Sequence, residues 1–374
     1  MKKKILFNVA NITNWMGGIY YAKNIINLIM HSNKLRQEYE IHVLVTTINA
    51  HVFQEYDDYI FLKEINYGNC YLNSIFFIWY MHKNKIDYWY SLSMNIVERL
   101  LVKKAILWIP DFQYLHLPQY FSKFEYNMRD YISRYMACKR NSLVLSSKDA
   151  CKDFVENYSD YKCKCYVVHF ASDIVSEVQA IKLEEENQIL HNYQLEEKRY
   201  IYIPNQFWQH KNHLTVLQMI EKMSEKDAEN ILFVFTGQMY DYRNKEYISE
   251  LQKYFSRNRI KERTKNLGFL NRKEQLVIMK NALFLIQPSL FEGWGTVLED
   301  AKVLDKRVIL SDLPVHREQK YEKCVLFQKN NPDDLLEKVF YFMKQQSFDS
   351  IDNGIIRFHE DSRKYAMELE KVLL

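Results

Sequence analysis

Glycine and proline are scarce in this chain, 8 and 6 of 374 residues, which excludes long linkers of the Gly-rich or Pro-rich kind. No apolar run is long enough to cross a bilayer. The richest later window, YLNSIFFIWYM (71–81), falls short of the roughly 20 residues that a spanning helix needs. The start, MKKKILFNVANITNW, has the charges of a secretory leader, but its apolar run is short and broken by asparagine, so it reads as a first β-strand. An excess of one charge is lacking too. The net charge is +4, which by itself gives no argument for nucleic acid. The six cysteines, Cys70, Cys138, Cys151, Cys163, Cys165 and Cys324, show no zinc spacing. Cys163 and Cys165 are expected on opposite faces of a predicted strand, poor geometry for a shared metal, so reduced thiols in a cytoplasmic protein are expected.

What is present describes a globular protein: 48% hydrophobic and 26% charged residues, on a chain long enough for two cores. The 28 Tyr and 22 Phe carry no functional inference. One stretch is locally basic: Lys123, Arg129, Arg134, Lys139, Arg140, Lys148, Lys152, Lys162 and Lys164, with few acids between. It reads as a solvated helix face or as a surface drawn to an anionic membrane or a phosphate-bearing acceptor.

Strand-like runs alternate with helix-like segments along the chain. KILFNVA, EIHVLVTT, AILWIP, SLVLSS and KCYVVHF are strands of a first series, and IYYAKNIINLIM and KDACKDFVENY are helices between them. The polar, acidic stretch 175–198 marks a domain boundary, placed at 190. A second series follows with YIYIPN, ILFVFTG, KNLGFL, ALFLIQPS and RVILSD. Two alternating series imply an α/β protein of two Rossmann-like domains, each a parallel sheet covered on both sides. The last segment, SRKYAMELEKVLL (362–374), reads as an amphipathic helix.

The stretch PSLFEGWGTVLED (288–300) spends two of the few glycines beside three acids, at the end of an apolar strand. Ligands of open parallel sheets bind beyond such strand ends. Val297, Leu298, Ala301 and Leu304 recur at helical spacing, so a helix should start near Thr296, and its first N–H groups favour an anion. Gly293 and Gly295 allow close backbone approach. With the apolar stripe centred on Val297 and Ala301, Glu299 is expected to point to solvent and Asp300 to lie on the flank. Glu292 and Asp300 are therefore the ligand candidates. Lys211, in the loop after YIYIPN, supplies a point charge for a diphosphate.

These segments resemble retaining GT-B glycosyltransferases of family four. PSLFEGWGTVLEDAKVLDKRVILSDLPVHREQ is similar to the family's acid-motif region and YIPNQFWQHKNH to its lysine-bearing loop. WIPDFQYLHLPQYFS resembles its histidine loop, and NVANITNWMGGIYYAKNI its first glycine loop. VLSSKDACKDF and VVHFAS complete a match in chain order. The resemblance implies the GT-B fold, with two domains facing a cleft. An acceptor domain would cover 1–190 with 358–374 returning to it, and a donor domain 191–357. It implies that Glu292 contacts the transferred sugar and that Lys211 meets the diphosphate. His116 would contact the sugar from the first domain, with Asp111 ordering its loop, and Gly17 and Gly18 would approach the phosphates and acceptor. Gly293, Trp294, Gly295 and Thr296 would line the donor. The family's second acid, a glutamate that holds the ribose, falls on Asp300, one methylene shorter, with Glu299 as the alternative. Gln206 stands where many members have arginine, which removes one positive charge from the diphosphate site.

The implied reaction is transfer of a hexose from a nucleotide sugar to an acceptor hydroxyl with retention of configuration and no metal or resident cofactor. The acceptor would be a glycan or lipid-linked oligosaccharide of bacterial surface polysaccharide, such as lipopolysaccharide or capsule, on the cytoplasmic face of the membrane. GDP-mannose is a candidate donor. The alternatives are a nucleotide-sugar epimerase, a pyridoxal-phosphate phosphorylase, which should be longer, and a non-catalytic nucleotide-sugar-binding subunit.

Overall fold

The computed structural model describes residues 2–12, 15–56, 58–65, 70–92, 105–138, 142–158, 160, 163–224, 231–345 and 349–374. The chain divides into two compact units, Met1–Asp173 with His359–Leu374, and Ile174–Phe358. Each is a parallel sheet with helical crossovers.

The first unit holds β1 (Lys3–Asn8), β2 (Tyr39–Val45), β3 (Ile60–Glu64), β4 (Tyr88–Ser91), β5 (Ala105–Ile109), β6 (Ser142–Leu145) and β7 (Lys164–Val167). They lie in the order β3-β2-β1-β4-β5-β6-β7. Every residue of β5, AILWI, is buried, as expected of a strand covered on both faces. Two strands of this unit escape sequence reading. β3, IFLKE, is an edge strand with only Ile60 buried, so it shows no continuous apolar run. β4, YWYS, is four residues long and mostly aromatic. The apolar window at 71–81 forms part of the helix Cys70–Lys83, which sends Phe77 and Tyr80 into the core. The helices Lys123–Cys138 and Lys148–Asn157 add Ile132, Met136, Ala137, Ala150 and Phe154 to the same cluster. Each large apolar side chain among them contributes roughly 1.5–3 kcal/mol by leaving water. Cys163 and Cys165 both pack against this cluster, which corrects the expectation that they face opposite ways. Positions two apart along an extended chain share a face. Lys139, Arg140 and Lys162 of the basic stretch lie outside the described residues.

The second unit holds β8 (Arg199–Pro204), β9 (Ile231–Thr236), β10 (Thr264–Asn266), β11 (Phe284–Gln287), β12 (Val308–Ser311) and β13 (Cys324–Phe327). Their order is β10-β9-β8-β11-β12-β13. The acidic stretch forms the helices Val175–Ala180 and Leu183–Asn192. Buried Glu186 accepts hydrogen bonds from Lys280 and Asn281, and Glu185 pairs with Lys273 at 3.2 Å. These contacts fasten it to the helix Arg272–Asn281, so the division falls after Asp173 rather than at 190. The last helix, Ile351–Leu373, begins in the second unit and ends in the first. There Tyr39 donates to the Leu373 carbonyl (2.6 Å), and Glu368 accepts from His169 N–H (3.0 Å).

In each sheet the strand order reverses once, between β1 and β4 and between β8 and β11. Loops leaving adjacent strands at such a point diverge and leave a crevice at the carboxyl edge.

Candidate functional site

Because β8 and β11 are neighbours, the lysine loop that follows one meets the acid loop that follows the other. Backbone and amide hydrogen bonds stitch them together. Leu290 N–H donates to the His210 carbonyl (2.7 Å), Asn212 Nδ2 to the Pro288 carbonyl (3.1 Å), and Asn205 Nδ2 to Gln287 Oε1 (2.9 Å). Asn212 takes the left-handed conformation, φ 55°, which ends the single turn Gln209–Lys211 and turns the chain into the helix His213–Lys222. Asparagine tolerates that conformation better than most residues.

The result is a pair 81 positions apart in sequence: Lys211 Nζ donates to Glu292 Oε1 at 2.7 Å. Ser289 Oγ donates to the same oxygen at 2.6 Å. Burial alone would push the Glu292 carboxyl up. The Lys211 ammonium, then His316, and the hydrogen bonds from Lys211 and Ser289 outweigh it and hold the group at about 2. Burial, then the Lys211 charge, pushes His210 well below its ordinary value, and its Nδ1 stands 3.3 Å from the Arg243 guanidinium. Burial likewise lowers His316, whose Nδ1–H donates to the Ser311 carbonyl (2.7 Å).

A pH dependence follows. The Glu292 carboxyl sits below its ordinary 4.5 in the folded state, so its stabilising contribution is complete above about 4.5 and is lost as the pH falls toward about 2. The lowered His210 and His316 act in the same direction below their ordinary 6.5. Glu292→Gln should flatten the stability profile of the second unit between pH 4.5 and 2. Thermal midpoints measured across that range check this, and an unchanged acid limb would refute it.

The helix Thr296–Val303 starts where its periodicity places it, but its surroundings differ from the expectation of one buried stripe. Glu299 is not a solvent-facing charge: it is 1% exposed, accepting from Lys302 (3.0 Å) and Gln319 (2.7 Å). The segment Pro314–Gln319 covers that side of the helix, and no helical wheel drawn on 296–304 contains it. Gln319 also receives the Gly295 N–H (3.1 Å), so that N–H is engaged within the protein. Asp300 is 2% exposed, and Arg272 grips both its oxygens at 2.7 Å. Trp294 is buried with Lys302 over its ring, a packing position. Gly293 lies in the bend before it, and Thr296 is half-buried at the first position of the helix.

Gln206 uses its side-chain oxygen to accept from Gln238 N–H (2.8 Å). This ties the lysine loop to the turn after β9. Gly237 in that turn has φ 113°, and a Cβ there would stand 2.5 Å from the Asn205 carbonyl oxygen, so only glycine lets the two loops touch.

In the first unit, Gly17 and Gly18 form the first turn of the helix Met16–His31 rather than an open loop. A Cβ on Gly18 would lie 2.5 Å from the Trp15 ring, which stacks on Trp108 at 5.4 Å. His116 ends the short helix Gln113–His116, where Asp111 Oδ1 accepts from Gln113 N–H (2.9 Å) and so orders the loop. The imidazole is 44% exposed on its side chain, and its Nε2 stands 2.7 Å from Asp153 Oδ2.

Sequence reasoning missed Ser289, Asp153, Arg243, Arg272, His316 and Gln319. Arg272 opens a helix whose Asn271 and Glu274 form a reciprocal cap. The N-x-x-E spacing could have signalled that helix start, though not the partner of Arg272. Among the described residues, no group of three or more His, Cys, Asp or Glu stands together as a metal site.

Residues 185–357, most of the second unit, match the family described as Glycosyl transferases group 1. No curated protein sequence matches the chain. Solved structures do, over nearly its full length. HepE of Anabaena, determined in complex with UDP and glucose, superposes with a TM-score of 0.67 at 12% identity, covering 98% of this chain and 95% of that one. A glycosyltransferase of Rickettsia africae gives 0.65 at 15% identity over 100% and 97%. UDP-GlcNAc 2-epimerase of Methanocaldococcus jannaschii gives 0.53 at 15% identity over 99% and 100%. At these identities the likeness shows the fold: two Rossmann-like units of the GT-B class.

Proposed function

We propose that this chain, whose residues 185–357 match the group 1 glycosyl transferases, moves a hexose from a nucleotide-diphosphate sugar to an acceptor hydroxyl with retention of configuration. The observation that carries the proposal is the Lys211–Glu292 pair, 2.7 Å long, at the point where the second sheet reverses its strand order. The leaving nucleoside diphosphate gains negative charge as the glycosidic bond breaks. Lys211 has three donors and spends one on Glu292; the others are available to that charge, together with the N–H groups that open the helix at Thr296. A carboxylate held at about 2 is a poor base at neutral pH. Glu292 therefore positions the sugar, and the acceptor proton passes to the departing phosphate oxygen. His116, with Asp153 at 2.7 Å, is a proposed sugar-contacting residue. Asp300, gripped by Arg272, stands at the position of the family's ribose-holding acid. Gln206, Gly293, Trp294 and Gly295 are proposed to line the donor site, and Gly17 and Gly18 to serve donor binding as the family resemblance implies.

The UDP and glucose held by HepE add UDP-sugars to GDP-mannose as donors to test. Thermal unfolding against GDP-, UDP- and dTDP-sugars should single out one base, since a ligand stabilises the state that binds it. With that donor, nucleoside diphosphate should be released only when a glycan or lipid-linked acceptor is present. Consumption of donor without acceptor would point instead to an epimerase, the reading that the 0.53 superposition on such an enzyme favours. Binding without turnover would leave a nucleotide-sugar-binding subunit.

We infer an acceptor at an anionic membrane surface, as part of surface-polysaccharide synthesis. Phe124 and Tyr131 are 72% and 61% exposed in one row with Met128 on the helix Lys123–Cys138, flanked by Lys123, Arg129 and Arg134. Such a face suits a headgroup layer. Among the described residues no helix is long and apolar enough to cross a membrane. Co-sedimentation with phosphatidylglycerol vesicles, absent with phosphatidylcholine, is expected; equal partition to both would refute the contact.

A further inference from the structure

The proposed reaction uses no cysteine, yet two of them face each other. Cys151 lies in the first turn of the helix Lys148–Asn157, where its N–H donates to the Ser147 carbonyl (3.0 Å). Cys165 lies in β7, paired in register with Leu143 of β6. The helix is the crossover between these two strands, and it brings the Sγ atoms to 3.6 Å across 14 positions of sequence. A disulfide needs about 2.05 Å, so roughly 1.5 Å of approach is required. Both residues are half-buried, which shields the pair from bulky reagents while leaving it open to small ones. We propose that Cys151 and Cys165 form a reversible redox site that closes by exchange with a low-molecular-weight disulfide.

The chemistry balances in two steps. The Cys151 thiolate attacks one sulfur of the small disulfide, whose S–S bond breaks, and one small thiol leaves. Cys165 then loses its proton and attacks the Cys151 sulfur, and the second small thiol leaves. The protein loses two protons and two electrons, and the small disulfide becomes two thiols. Cys151 sits in the first turn of its helix, where the N-terminal N–H groups favour a thiolate, whereas Cys165 lies within a strand, so Cys151 attacks and Cys165 resolves. The same helix supplies Asp153 to His116, so the bridge tethers the element that positions that imidazole.

The test treats the folded full-length chain with oxidised glutathione and reads intact mass, thiol count and a non-reducing peptide map, none of which depends on any transferase activity. The expected result is loss of two hydrogens, with two of the six thiols consumed, the Cys151 and Cys165 peptides joined, and full reversal by dithiothreitol. Cys165→Ser should stop at a glutathione adduct on Cys151. Cys151→Ser, or Cys151→Ala should the serine variant fold poorly, should not cross-link. The proposal is overturned by a stable glutathione adduct on the wild type without cross-linking. A bridge between Cys163 and Cys138 instead, or cross-linking seen only in urea, overturns it equally.

Discussion

Lys211→Ala should lower the rate of sugar transfer roughly 10²- to 10³-fold, about 3 kcal/mol of barrier, while the second unit stays folded. The ammonium is a donor set in place before reaction: Glu292 holds it at 2.7 Å and the lysine side chain is only 17% exposed. In such a site water cannot replace a lost charge as it would at the surface. The substitution also removes the foremost group that holds the Glu292 carboxyl at about 2 against burial, so that carboxyl should rise. The variant's rate should therefore fall off at a higher pH on the acid side than that of the wild type. Glu292→Ala should lose transfer to a similar extent by freeing both the sugar and the lysine. Single-turnover rates with the donor found by thermal shift, alongside unfolding curves, separate these effects from misfolding. Wild-type rates in both variants would remove the pair from the reaction.

Arg272→Ala should destabilise the second unit by about 3–5 kcal/mol, the usual cost of taking one partner from a buried ion pair. That corresponds to roughly 10 °C in the unfolding midpoint for a domain of this size. Asp300 is 2% exposed with Arg272 on both its oxygens, and the same guanidinium reaches Glu177 at 3.7 Å. The pair thus joins the acid-motif helix to Arg272–Asn281 and to the first helix of the unit. Adding Asp300→Asn should recover much of the loss, because the uncompensated charge goes with it. Midpoints for the two single variants and the double variant measure the coupling. A midpoint unchanged in Arg272→Ala would show that Asp300 does not depend on the fork.

Most of the architecture was legible because long apolar runs such as AILWI and ILFVFT can be little else than covered strands. β3 and β4 were not, because an edge strand and a four-residue strand of aromatics carry too little pattern. The boundary shifted from 190 to 173 because acidity marks exposure, whereas membership of a unit follows the contacts of Glu185 and Glu186. Glu299 was misplaced for a related reason. A helical wheel knows one face, and the segment that ends in Gln319 buries another. The two cysteines assigned to opposite faces share one, and the pairing of Cys165 with Cys151 depends on a crossover that spacing does not describe.

What the residue order alone determined is local: strands from apolar runs, a helix start at Thr296, an ordered histidine loop from Asp111, and an acid loop and a lysine loop at strand ends. Each depends on a few neighbouring side chains. Only the tertiary structure decided which loops meet, that Lys211 stands beside the Glu292 carboxyl, and that Asp300 faces Arg272. Those outcomes follow from strand order and from what covers each helix, and they join residues tens of positions apart that no window of sequence holds together.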